Sequence, residues 1–318
     1  MKALVAVFSF LLVLMISGFA FAGTSSTSDH FTGETFKGFI KIRDSRELFV
    51  NYVKPKPGQP TLIILNGLTY STVQWNRFVD ELEKRGTGLL RYDMFGMGET
   101  LLKYAPASDI IPFQDQAEDL KKLLTVMNLK GPYNFVGLSY GGGIGIAFSM
   151  TYPQDIKNLI LMAPYTEPLE GQYNWIMAQI WATRQIYPYN PASDDELYDY
   201  FLHQIVYATY PQAEPVVLQN PFILEGVFRM VQGIRKFRPI DLTKQIPATT
   251  HLMIAEYDQY IPRPVLNKFW DKVPAASKGT CVIVKNSEHK IPEAVPAFAA
   301  KWVYDILQGA NHASSKCE

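Results

Sequence analysis

The sequence predicts an α/β fold: a mainly parallel, twisted sheet with helices on both faces, plus an inserted helical cap. Three observations carry that expectation. Short apolar runs bounded by turn residues alternate with segments whose apolar residues recur at three- and four-residue steps, over most of a 318-residue chain. One strand-to-helix junction is rich in glycine and holds a serine, at Gly137-Leu138-Ser139-Tyr140-Gly141. The alternation breaks once, between about Tyr165 and Pro239, where a stretch rich in Tyr, Trp, Met and Gln has helical patterns but no convincing apolar strand.

The chain starts with Met1-Lys2 and an apolar run from Ala3 to Ala22 that closes on Ala20-Phe21-Ala22 before Gly23. That pattern reads as a secretory signal peptide over residues 1–22 with a small-residue cleavage site. An uncleaved membrane anchor is the alternative, because a run of about 20 apolar residues is long enough to cross a bilayer. The expectation is an exported protein, periplasmic or extracellular, with no stable membrane span once the signal is removed.

A leader occupies 23–35, and the first part of the α/β core is expected over 36–164. Phe36 to Arg43 and Glu47 to Lys54 read as a hairpin turned by Asp44-Ser45. Thr61 to Leu65, between Pro60 and Gly67, has the continuous apolar character of a buried parallel strand. Val73 to Arg85 shows helical spacing, with Trp75, Phe78, Val79 and Leu82 on one side. A strand at Gly88 to Asp93 and a helix from Phe113 to Met127 follow, then a strand at Tyr133 to Leu138, a helix at Gly141 to Tyr152 and a strand at Ile156 to Met162. The cap is expected over 165–239. The β-α rhythm resumes over 240–309 with Thr249 to Ala255, Val265 to Val273, Gly279 to Lys285 and Ala294 to Leu307, leaving a tail at 310–318.

Thirty basic residues balance thirty acidic ones, so no net field favours nucleic acid, and a neutral or mixed-polarity small molecule fits better. Neither Cys281 nor Cys317 has metal-ligand spacing with a neighbouring His or Cys, and no nucleotide, flavin or metal motif is present, so no cofactor is expected. The two cysteines are open to two readings: a disulfide in an oxidising compartment, or two unpaired thiols with Cys281 buried.

The G-x-S-x-G pattern around Ser139 lies between an apolar strand and a glycine-rich helix start. A nucleophile on such a sharp turn is strained, and it needs glycines beside it to avoid clashes. A serine hydroxyl is weak at neutral pH, so a base must take its proton during attack. Of five histidines, His30 lies in the leader, His203 in the cap, His251 near a strand start and His312 in the tail. His289 follows the last strand in Ser287-Glu288-His289-Lys290-Ile291-Pro292, and strand-end loops are where parallel sheets present chemistry. The imidazole needs a carboxylate to hold its tautomer. Asp258, where the preceding strand ends, is the candidate, with Glu256 as its rival. Backbone N–H groups of Tyr140 and Leu68 are the expected oxyanion donors, the second from the turn Leu65-Asn66-Gly67-Leu68.

With Ser139, Asp258 and His289 in this order, the chain resembles the α/β-hydrolase superfamily, in its cap-bearing, serine esterase and lipase-like branch, over about Phe36 to Gly309. Asp93-Met94-Phe95-Gly96-Met97-Gly98-Glu99-Thr100 is similar to the family's D-x-x-G-x-G-x-[ST] segment, which the resemblance implies is structural. Two positions depart from the pattern: Asn66-Gly67 replaces the frequent His-Gly, and Glu288 stands where Gly is frequent. Ser139 argues against the dehalogenase and epoxide hydrolase branches, which use an aspartate nucleophile. The resulting expectation is hydrolysis of a carboxylic ester with an apolar group. The alternatives are an amidase or aminopeptidase acting on small peptides, which needs an acidic patch for the amine, and a non-catalytic binding protein on the same fold.

Overall fold

The computed structural model describes residues 31–69, 72, 75–104, 109–209, 220–236, 238–310 and 317. The expected signal peptide, most of the leader, most of the tail and the first residues of the helix expected from Val73 lie outside the described residues.

Eight strands form one sheet: β1 (Phe36–Arg43), β2 (Arg46–Val53), β3 (Thr61–Leu65), β4 (Gly88–Asp93), β5 (Tyr133–Leu138), β6 (Ile156–Met162), β7 (Thr249–Ala255) and β8 (Lys278–Val284). Their order is β1-β2-β4-β3-β5-β6-β7-β8. β1 pairs antiparallel with β2, as does β2 with β4, and every further pair is parallel. Consequently the loops that follow β3 through β8 all emerge at one edge of the sheet.

Strand side chains alternate between two cores, as the two-residue period requires. Ile63, Leu65, Phe135, Leu159, Leu161, Leu252 and Ile254 point to one face, where α3 (Phe113–Val126), α4 (Tyr140–Thr151) and α8 (Arg263–Lys272) pack. Leu62, Ile64, Val136, Ile160, Met162 and Met253 point to the other, under α1 (Asn76–Glu83) and α9 (Pro296–Leu307). Both faces are covered, which is why the central strands are buried along nearly their whole length and rich in apolar residues on both sides.

Between β6 and β7 the chain makes α5 (Glu170–Ile186), α6 (Asp194–Thr209) and α7 (Ile223–Lys236). α7 packs on the loops after β4. The Ile111 N–H donates to the Arg229 carbonyl (3.1 Å), and an added Cβ at Gly226 would lie 2.3 Å from the Gly96 carbonyl oxygen. A short α2 (Gly98–Tyr104) is not legible in the sequence, because it opens on a glycine at positive φ and spans only two turns.

The two thiols left open by the sequence are joined, Cys281 to Cys317, with Cα atoms 4.7 Å apart. The bond fixes Cys317 against β8, the last strand of the sheet.

His251 on β7 is fully buried. Its Nδ1 accepts the Thr280 N–H at 3.0 Å, and an added Cβ at Gly279 would lie 2.5 Å from its ring. Burial pushes its pKa down to about 4. A depressed folded-state pKa means stability that is complete above the unfolded value near 6.5 and is lost as pH falls through about 4. The wild-type protein should lose about 3 kcal/mol over that window from this group alone. Urea melts at pH 7.5 and 4.5 check this, and His251→Gln should flatten the difference.

Candidate active site

Ser139 sits on the one-residue turn between β5 and α4, at φ 51° and ψ −116°, in the region that side-chain-bearing residues avoid. The strain is sustained by what surrounds it. The Ser139 N–H donates to the Met162 carbonyl (3.0 Å), and its own carbonyl accepts from Gly142 (2.9 Å) and Tyr165 (2.8 Å). Glycine is required nearby: an added Cβ at Gly141 would lie 2.2 Å from the Leu65 carbonyl oxygen, and one at Gly137 would lie 2.7 Å from the Gly141 carbonyl oxygen. The elbow motif is thus a packing solution that lifts one hydroxyl to the sheet edge.

His289 and Asp258, 31 residues apart, are brought together by the loops after β8 and β7. His289 Nδ1 and Asp258 Oδ2 are 2.8 Å apart. The Asp258 side chain is only 2% exposed, and its other oxygen accepts the N–H groups of Tyr260 (2.9 Å) and Ile261 (2.7 Å). A carboxylate held at both oxygens cannot swing, so it fixes the imidazole with Nδ1 inward and leaves Nε2 for chemistry. The two loops are sewn to each other by Tyr257 N–H to the Ser287 carbonyl (2.9 Å), and the Ser287 hydroxyl donates to the Val284 carbonyl (2.7 Å). The rival acid, Glu256, is engaged elsewhere: it accepts from the Asn286 N–H and from Lys285, and these hold its carboxyl below the usual range.

Ser139 and His289 stand at the same edge, each 8% exposed. Among the described residues no hydrogen bond joins the Ser139 hydroxyl to the His289 ring. Catalytic hydrogen bonds are often long in unliganded enzymes and tighten around substrate.

The turn after β3 borders the elbow, as the close approach of Gly141 to Leu65 and Asn66 requires. Tyr140 is the first residue of α4, so its N–H has no acceptor within the helix. Leu68 belongs to the β3 turn, so only this tertiary approach brings it toward the elbow. Asn66, where His is frequent in the family, has a structural role. Its Nδ2 donates to the Tyr92 carbonyl (3.0 Å) while Oδ1 accepts the Trp75 indole N–H (2.8 Å). The side chain braces β4 and the start of α1, leaving the backbone of the turn for the site.

Asp93 is buried beneath this edge and accepts the N–H groups of Thr72 (2.7 Å) and Glu99 (2.9 Å). Burial raises its pKa to about 7 against those two donors. An added Cβ at Gly98 would lie 2.2 Å from its carboxylate. These contacts account for the D-x-x-G-x-G spacing as loop architecture rather than chemistry.

Two participants were not singled out in the sequence. Tyr260 lays its ring against the His289 ring, centroids 5.1 Å apart, while its N–H holds Asp258. Ser287 anchors the histidine loop from a fully buried position. The first had a local signal, since an Asp two or three residues before free backbone N–H groups forms an Asx turn; the second had none. Among the described residues no group of His, Cys, Asp and Glu is arranged to hold a metal ion.

Comparison with known proteins agrees with this architecture. The family model described as "Serine aminopeptidase, S33" matches residues 56–293. A 2-hydroxy-6-oxononadienedioate/2-hydroxy-6-oxononatrienedioate hydrolase of Paraburkholderia phymatum is 27% identical over 143 residues, which is 43% of this chain and 48% of that protein. The chain thus spans about half the length of the curated relatives it matches. Among solved structures, an esterase from Exiguobacterium antarcticum superposes with a TM-score of 0.63 at 18% identity, covering 86% of this chain and 100% of the other. The enol-lactonase from Burkholderia xenovorans gives 0.62 at 17%, covering 85% and 99%. At these identities the structures show a shared fold.

Proposed function

Because the chain belongs to the serine aminopeptidase (S33) family of α/β-fold hydrolases, we propose that it is a serine hydrolase cleaving carboxylic esters of small molecules with an apolar group. In this reading the Ser139 hydroxyl attacks the ester carbonyl as His289 Nε2 takes its proton. Asp258 stabilises the imidazolium that forms. The N–H groups of Tyr140 and Leu68 receive the oxyanion. Collapse expels the alcohol, protonated by His289, and leaves an acyl-serine. Water, deprotonated by the same histidine, then releases the acid and restores the hydroxyl. The observation that carries the proposal is the Asp258–His289 pair at 2.8 Å, on the sheet edge that also bears the strained Ser139.

A second reading, cleavage of small peptides from a free amino end, has one observation in its favour. A cleft of about 310 Å³ beside α5 is lined by Glu167, Glu170, Tyr173, Tyr198, Arg235 and Arg238. Glu167 is paired with Arg238 and Lys268, but Glu170 has no ion pair among the described residues and is open to an ammonium group. A panel of chromogenic esters and amino-acid arylamides, with fluorophosphonate labelling in parallel, tests both. Ester turnover at least about tenfold above arylamide turnover is the expected result, a ratio that about 1.4 kcal/mol of barrier difference produces. Labelling without ester turnover, or arylamide turnover alone, overturns the ester reading. No labelling overturns the serine mechanism.

Export to an oxidising compartment is part of the same proposal. It is supported by the Cys281–Cys317 bond and by the apolar run ending at Ala22.

A further inference from the structure

The segment Asp258-Gln259-Tyr260-Ile261-Pro262 carries an aromatic side chain whose place the packing of the core does not explain. Ile261, two residues before α8, is 3% exposed, whereas the neighbouring Tyr260 is 40% exposed. A ring left this open gains little from burial, because the gain scales with the area removed from water. Its hydroxyl makes no hydrogen bond among the described residues, so the polar tip does not account for it either. What the ring does touch is the imidazole of His289, in an edge-to-face contact with 5.1 Å between centroids and 63° between planes. Among the described residues no other aromatic ring packs on that imidazole.

His289 has one freedom that its acid does not remove. The 2.8 Å contact between Nδ1 and Asp258 Oδ2 fixes the place of one ring atom. The torsion about the Cβ–Cγ bond of a histidine has a broad minimum, so the ring can still tilt while that contact survives. A tilt displaces Nε2 and misdirects it. Tyr260 is suited to prevent this because the same carboxylate holds its backbone: Asp258 Oδ1 accepts the N–H of Tyr260 at 2.9 Å and that of Ile261 at 2.7 Å. With Ile261 anchored in the core, the backbone that carries the ring and the acid that holds the imidazole form one unit. Carboxylate and ring therefore meet the histidine at a set angle, the first fixing an atom and the second the plane.

We propose that Tyr260 is a positioning residue, whose ring holds the plane of the His289 imidazole and so keeps Nε2 aimed at the Ser139 hydroxyl. This rests on the serine mechanism proposed above and extends it to a residue outside the triad.

The test compares the full chain with its variants Tyr260→Ala and Tyr260→Phe in two measurements. The first follows the rate of fluorophosphonate labelling against probe concentration. Tyr260→Ala should lower the maximal rate about tenfold or more and leave the half-saturating concentration within about twofold, since misplacing a reacting group by about 1 Å costs up to about 100-fold in rate. Tyr260→Phe, which restores the ring without the hydroxyl, should recover the rate. The second measurement reads the His289 Nδ1 proton by NMR at low field, assigned by its loss in His289→Gln. Tyr260→Ala should broaden or erase that signal, because a tilting ring opens the bond to water, and Tyr260→Phe should bring it back. Circular dichroism should be unchanged, because the backbone donors to Asp258 are present in both Tyr260 variants. Labelling of Tyr260→Ala at the wild-type maximal rate, a raised half-saturating concentration at unchanged maximal rate, or a loss that Tyr260→Phe does not recover would each overturn the proposal. A wild type that resists labelling overturns the serine mechanism instead. The Nδ1 signal then decides alone, and its survival in Tyr260→Ala overturns the positioning role.

Discussion

Ser139→Ala is expected to abolish fluorophosphonate labelling and to lower kcat on the best chromogenic ester by about 10⁶-fold, since losing a triad nucleophile costs as much as losing the whole triad. The fold should survive, because the Ser139 contacts that hold the elbow are made by its backbone N–H and carbonyl. A left-handed φ of 51° is no worse for alanine than for serine, so little stability is at stake. Burst and steady-state kinetics with both proteins check this, with circular dichroism as the control. Turnover within about tenfold of wild type would exclude Ser139 as nucleophile, whatever the fate of the substrate assignment.

Asp258→Asn should reduce kcat by about 10⁴-fold while changing KM little, because it inverts the polarity of one hydrogen bond and leaves the shape intact. Asp258 receives three donors: the imidazole at 2.8 Å and two backbone N–H groups at 2.9 and 2.7 Å. An amide has one acceptor oxygen. The backbone donors claim it, so the NH₂ group faces His289 Nδ1 and forces the tautomer that carries its proton on Nε2. That nitrogen then cannot take the serine proton. Stopped assays from pH 6 to 10 distinguish this from misfolding: a tautomer fault lowers the plateau of kcat, whereas an unfolded variant loses secondary structure. Glu256→Gln should leave kcat within about twofold, since Glu256 is engaged with Lys285 and Asn286 and does not touch the histidine.

Much of the architecture was legible in the sequence because local physics and tertiary need coincide there. The runs 88–93, 133–138, 156–162 and 249–255 are strands with those limits, each buried along nearly its whole length because both sheet faces are covered. Helix ends were less legible. The expected Phe113 to Met127 is α3 at Phe113–Val126, and the expected Val265 to Val273 is α8 at Arg263–Lys272, starting earlier because Pro264 suits a first turn. α2 was missed outright, since its Gly98 start is explained only by the Asp93 carboxylate packed against it.

The sequence alone determined the period of each element, the chain order Ser, Asp, His, and the glycines that let Ser139 sit on a sharp turn. These are properties of neighbours along the chain. Tertiary structure decided which carboxylate meets His289, that Cys281 reaches Cys317, and that Asn66 braces β4 and α1 instead of entering the site. Each joins segments whose separation in sequence carries no period or local propensity. Only the order of strands in the sheet, set by burying apolar surface on both faces, brings those segments to one place.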